Sequence, residues 1–127
     1  MYPRFHVFIP LKPGPSQEKV RRFARQVGEE MARRAPGLVT LEMAKSRRRG
    51  RVFVDWLRNA FGQTIAAPYS LRRRPRAPVS KPLRWEEVDP KLDPSSFNLS
   101  TMKHRLKGKD PWADFRKHPQ TLPEFKS

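Results

Sequence analysis

Prolines decide most of what this chain can fold into. There are 14 in 127 residues, and each fixes its own φ, removes a backbone donor and drives the preceding residue out of the helical region. Pro13 and Pro15 on one side and Pro36 on the other leave "SQEKVRRFARQVGEEMARRA" (16–35) open to helix. Ser16 suits its N-cap, and Val20, Phe23, Ala24, Val27 and Met31 share one helical face. The "APG" of 35–37 ends it.

Around this helix, short apolar runs read as strands: "FHVFIPL" (5–11), "LVTLEM" (38–43), "VFVDW" (52–56) and "TIAAPYS" (64–70). Pro68 ends the last of these or puts it at a sheet edge. "AKSRRRGR" (44–51) suits a loop or an exposed hairpin connection. Residues 5–70 thus read β-α-β-β-β. The expected fold class is α+β, a small mixed or antiparallel sheet with one long helix packed on a face. From Leu71 the proline-rich "RRRPRAPVSKP" reads as an extended connector. "WEEV" (85–88) and "STMKHRL" (100–106) read as short helices or helical turns, and "DPWADF" (110–115) offers Asp110 as a cap with Pro111 in the first turn. We expect an α+β half-module over 1–88 and a tail with short helices over 89–127, fraying from 116.

Charge points to the ligand. Lys+Arg number 28 against 12 Asp+Glu, a net +16, which suits a polyanion. Between Lys45 and Arg76 there are ten Lys/Arg and a single acid, Asp55. With no cysteine, and with His6, His104 and His118 lacking paired spacing, the sequence argues against zinc. No apolar run approaches the roughly 20 residues of a membrane span and no signal peptide opens the chain, so the expectation is a cytoplasmic, nucleoid-associated protein with no membrane contact.

Asp55, at the end of "VFVD", has two readings. It begins a turn or bonds nearby backbone, as strand-end aspartates commonly do, or it holds a divalent ion among cations that take phosphates. Lys45, Arg47, Arg48, Arg49 and Arg51 on one side of it and Arg72, Arg73, Arg74 and Arg76 on the other are phosphate contacts or a solvated loop. His6 in an apolar strand reads as a histidine at the edge of the core. Trp56, Trp85 and Trp112 read as core or interface anchors. No D-x-D pair occurs anywhere in the chain, so it supplies at most part of a two-metal centre.

"AKSRRRGRVFVDWLRNAFGQTIAAPYSLRRRPRAPVSKPLRWEEV" (44–88) resembles the polymerase domain of bacterial ATP-dependent DNA ligase D, of the archaeo-eukaryotic primase superfamily. The resemblance extends back through "FHVFIPL" and the helix and forward through "DPSSFNLSTMKHRL" and "DPWADF", and covers the C-terminal half of the family's domain. It implies a nucleotidyltransferase that adds NTP or dNTP units to a primer 3′-hydroxyl in non-homologous end joining, with Mn²⁺ or Mg²⁺. Asp55 falls on the third metal-binding carboxylate. His6 falls on the second-motif histidine that meets the triphosphate. Lys45 and Arg48 fall on basic positions near the nucleotide, and Arg72 on the triphosphate-contacting arginine of "PYSLR".

The family's D-x-D strand and its 5′-phosphate contacts lie upstream of the matched region, and "MYPRF" stands where a Ser-Gly-rich turn normally precedes the histidine. The resemblance therefore implies a chain inactive alone, either a split subunit completed by a separate N-terminal polymerase subunit or ligase, or a truncated product. The alternatives are a non-catalytic basic DNA- or nucleotide-binding module, and a remnant that self-associates through its uncovered sheet edge.

Overall fold

The computed structural model describes residues 4–124. Helix α1 (Gln17–Arg34) forms where the prolines permit it, capped by the Ser16 side chain accepting from the Lys19 N–H at 3.2 Å. Glu18–Arg22, Glu29–Arg25 and Glu30 with Arg33 and Arg34 pair along its outer surface at helical spacing. The inner face is the expected one for Val20, Phe23, Ala24 and Val27, all half-buried; Met31 lies mostly exposed. The buried residue of the helix is Gly28.

Gly28 is where α1 meets the sheet. Strands β1 (Val39–Thr40) and β2 (Val52–Phe53) pair in parallel, Val39 opposite Val52 and Thr40 opposite Phe53. The flanking Val52 N–H to Leu38 O and Val54 N–H to Thr40 O bonds, 2.7 and 3.0 Å, extend the ladder. A Cβ on Gly28 would stand 3.2 Å from both Leu41 Cδ2 and Val54 Cγ1. The helix backbone thus rests on side chains that leave both strands, and Val39 and Thr40 are buried.

The observed pair is parallel, where the expectation was a mixed or antiparallel sheet with a loop or a hairpin connection at 44–51. Parallel strands need a crossover, and 41–51 supply one through a 3₁₀ turn at Lys45–Arg47 and left-handed Arg49 and Gly50, φ 49° and 77°. Arg51 ties the turn down, donating from Nε to Arg48 O and from Nη2 to Arg47 O. Residues 5–11 and 64–70, expected as strands, form none beyond an isolated bridge at Leu11.

The chain divides into two compact units. Leu11–Ile65 with residues from Thr121 onward contain α1, β1 and β2 and form the helical unit; residues up to Pro10 with Ala66–Gln120 form the proline-rich unit. In the helical unit Leu122 is buried and Lys19 pairs with Glu124 at 3.5 Å. The chain is therefore packed at a point where fraying was expected; residues 125–127 lie outside the described set.

The proline-rich unit replaces the expected extended connector with short antiparallel pairings. The Tyr69 N–H donates to Ser80 O at 2.7 Å and the Ser80 N–H to Ser70 O at 2.9 Å, Arg72 donates to Pro78 O, and Val79 donates to Phe97 O. Bridges Leu71–Val79 and Pro78–Asn98 result. Pro78 accepts without donating, which interrupts the ladder. Helix α2 (Leu99–Arg105) is capped by Asn98, whose side chain accepts from Ser100 and Thr101. Met102 and Val79 are buried. Asp110 caps its turn by accepting from the Trp112 N–H, and Trp112 stacks on Phe115 with Phe8 edge-on.

Glu87, at the end of the 3₁₀ turn Trp85–Glu87, is the electrostatic centre of this unit. It accepts from the Lys81 ammonium at 2.8 Å, from the Arg84 N–H at 2.9 Å and from the Arg105 guanidinium. Burial opposes its ionisation, but the three donors outweigh it and hold the carboxyl at about 2. Lys81, its side chain only 4% exposed, is pulled down by burial, since it has one carboxylate against the repulsion of Arg105 and Arg84.

Two outcomes follow from this packing. Gly28→Leu should cost about 1–3 kcal/mol in urea unfolding, because the added atoms force α1 off the strands. Glu87→Gln should cost about 2 kcal/mol by removing charge-assisted bonds to buried Lys81. Because the folded carboxyl titrates near 2 rather than 4.5, the stabilisation it gives is present above pH 4.5 and is lost as pH falls toward 2. Thermal unfolding from pH 6 to 2 should show a shallower acid limb in the variant than in wild type.

Candidate active site

Asp55, two residues beyond β2, lines a cavity of about 360 Å³ in the helical unit together with Arg21, Met43, Arg48, Phe53, Leu57, Arg58, Ala60 and Gln63. Three guanidiniums and one carboxylate therefore share this space. Arg58 Nε lies 3.4 Å from Asp55 Oδ2, and its Nη1 donates to Gln63 Oε1 at 3.2 Å. The contact Asp55 makes is with a side chain, the Arg58 guanidinium, and not the backbone bond expected of a strand-end aspartate, and it stands exposed among cations.

Arg48 is held from both sides. Its Nε donates to Glu42 O at 3.0 Å and its Nη2 to Met43 O at 2.8 Å, while the guanidinium lies 4.0 Å over the Phe53 ring. The planar fork secures the crossover to β2 and simultaneously fixes a positive charge in the cavity wall. Arg21 arrives from α1, its guanidinium 5.1 Å over Trp56, with Arg25 on the same ring at 5.4 Å. Trp56 thus holds two guanidiniums of α1 against the helical unit.

Of the five residues singled out by sequence, Asp55 and Arg48 line this cavity. Lys45 lies exposed in the 3₁₀ turn beside it and is not part of the lining. His6 and Arg72 belong to the proline-rich unit. His6 is exposed, edge-on to Phe8 at 6.2 Å; Arg72 is half-buried in the 69–80 pairing. Arg21 and Arg58 were missed. Arg58 was visible as the cation three residues beyond Asp55, whereas Arg21 sits on a helix whose azimuth the sequence does not give.

The donor set fits a polyphosphate better than a bare dication. Among the described residues no group of three His, Cys, Asp or Glu comes together. Asp55 is suited to be one oxygen ligand of Mg²⁺ or Mn²⁺, but by itself it does not make a metal site.

A family model described as LigD, primase-polymerase domain, matches residues 5–112. The chain is 35% identical over 113 residues to a multifunctional non-homologous end joining protein LigD of Pseudomonas aeruginosa, covering 87% of this chain and 14% of that protein. It is 41% identical over 88 residues to a LigD of Mycolicibacterium smegmatis, covering 68% and 12%. The solved polymerase domain of Mycobacterium tuberculosis ligase D in complex with DNA superimposes with a TM-score of 0.73 at 32% identity, covering 87% of this chain and 39% of that one. The chain thus spans a small part of these proteins.

The two arginines of the cavity should separate in unfolding experiments. Arg58→Ala removes an exposed ion pair and should change stability by less than about 1 kcal/mol. Arg48→Ala removes two carbonyl bonds and a ring contact and should cost about 2 kcal/mol, measured by urea denaturation.

Proposed function

The chain belongs to the LigD primase-polymerase family, and from this premise we propose that it contributes the triphosphate- and DNA-contacting part of a nucleotidyltransferase that extends primer 3′-hydroxyls in non-homologous end joining. The observation that carries the reading is the convergence of Arg21, Arg48 and Arg58 on the cavity that Asp55 enters. In-line phosphoryl transfer depends on positioning and charge stabilisation more than on covalent chemistry by the protein. Fixed guanidiniums supply that stabilisation, and the Phe53 and Trp56 rings keep Arg48 and Arg21 from having to reorganise as charge moves onto the leaving pyrophosphate.

In this reading Arg48, with Arg21 and Arg58 beside it, takes the nucleotide phosphates, and Lys45 approaches from the adjacent turn. His6 and Arg72 are proposed as further triphosphate contacts on the strength of the family resemblance. Asp55 would release Arg58 to a phosphate and present its carboxylate as one ligand of a divalent ion. When bound, such an ion neutralises phosphate charge and activates the attacking oxygen. The single carboxylate in the cavity supports completion by a polypeptide carrying the D-x-D strand, and the catalytic step is assigned to that completed enzyme.

The absence of a three-carboxylate cluster among the described residues favours one second reading, a basic nucleic-acid-binding module without catalysis. Titration of labelled ATP with and without Mn²⁺ discriminates the two. We expect Mn²⁺ to tighten ATP binding at least tenfold in wild type and not in Asp55→Ala. Binding indifferent to both the metal and Asp55 would overturn the active-site reading and leave the basic module.

A further inference from the structure

The proline-rich unit contains a second cavity, about 540 Å³, bounded by Tyr69, by residues of 81–87 and by the segment from Met102 to Pro111. Its wall carries Lys81, Arg84, Arg105, Lys107 and Lys109, with His104, against two acids, Glu87 and Asp110. Both acids are already engaged. Glu87 is bound by Lys81, Arg105 and the Arg84 N–H. Asp110 accepts from the Tyr69 hydroxyl at 2.5 Å and the Trp112 N–H at 2.9 Å. The Tyr69 phenol is pushed up to about 12 by burial and by that bond, so it remains a neutral donor at physiological pH.

The cavity lining offers no further acid to balance the remaining positive charge. Lys107 and Lys109 form no ion pair among the described residues. Lys103, His104 and Arg105 occupy the last turn of α2, where cations complement the carbonyl end of a helix. Lys107 and Lys109 lie beyond that helix and line the cavity together with His104 and Arg105. Lys81 sits in its wall, its ammonium 4.2 Å over the Phe97 ring, buried with a single carboxylate partner. An anion entering beside it would supply the charge that burial denies it.

We infer that this cavity is a second anion site, separate from the Asp55 cavity, which takes consecutive phosphates of a nucleic-acid strand. The choice of nucleic acid rests on the reading that the chain works at DNA ends; the charge imbalance, the cavity and the engaged acids stand without it. Lys107 and Lys109 make the phosphate contacts, and Lys81 with Arg105 forms the positively charged wall behind them.

The test is fluorescence anisotropy of the full chain with a labelled single-stranded oligonucleotide at several salt concentrations. Wild type is compared with Lys107→Ala/Lys109→Ala and with a control pair, Lys91→Ala/Lys103→Ala, which removes equal charge from exposed positions of the same unit outside the cavity. For single strands each neutralised phosphate contributes about 0.7 to the slope of log K against log salt. The cavity variant should lose about 1.4 of slope and about tenfold in affinity at low salt, with the control pair much less affected. Equal losses in both variants, or no loss in the cavity variant, would overturn the proposal. Mn²⁺-dependent ATP binding, measured in parallel, should be unchanged by Lys107→Ala/Lys109→Ala. If the oligonucleotide effect appears while Mn²⁺–ATP binding is absent from wild type, the active-site reading fails and the second anion site holds.

Discussion

The rest of the helical unit depends on how closely α1 approaches the sheet at Gly28. Each strand is two residues long, too little hydrogen bonding to persist alone. The strands hold their register because Leu41 and Val54, one just beyond each strand, close on a helix surface that has no side chain at that point. Asp55 follows Val54 directly. The contact that fixes the strand pair therefore also fixes where the carboxylate emerges, and α1 brings Arg21 to the same opening through Trp56.

The proline-rich unit achieves order by a different route. Its backbone pairing is interrupted wherever a proline lacks a donor, and its described core is small, with Val79 and Met102 buried. Side-chain electrostatics carry more of the organisation: Glu87 links the 81–87 segment to α2 through Lys81 and Arg105, and Asp110 links the following turn to Tyr69. Such links need charges taken out of water, which is favourable only when every partner is satisfied. Glu87 meets that condition with three donors, and Lys81 meets it less fully.

Helix α1 was legible in the sequence because three local signals agree there: the Ser16 cap, the apolar period and the prolines on either side. Helix α2 and the turn at 85–87 were legible for similar reasons. The strands at 5–11 and 64–70 were not, because apolar β-branched composition records a preference for half-buried extended chain and not the presence of a pairing partner. The parallel sense of β1 and β2 was hidden as well. A loop of Arg and Gly reads as a hairpin connection, and its use as a crossover depends on Arg48 and Arg51 bonding to carbonyls of their own segment. In the candidate site, Asp55 and Arg48 were accessible through motif resemblance. Arg21 required the helix to be placed.

Net charge alone would rank all of the basic residues between Lys45 and Arg76 as equal ligand contacts, and the structure separates them. Arg51 spends two guanidinium donors on Arg47 and Arg48 carbonyls, so it is an internal brace for the turn. Arg48 uses donors on Glu42 and Met43 and also lines the cavity, so it acts as both brace and wall. Among the described residues Arg58 makes a long, exposed ion pair with Asp55 and a hydrogen bond to Gln63, which a phosphate can displace at little cost. A graded set of this kind suits a polyphosphate: fixed cations define where it sits, and a loosely held one closes on it. On the proposed reading, the carboxylate that restrains Arg58 would become available for a cation once the arginine turned to a phosphate, so anion and metal binding at Asp55 should reinforce one another rather than compete.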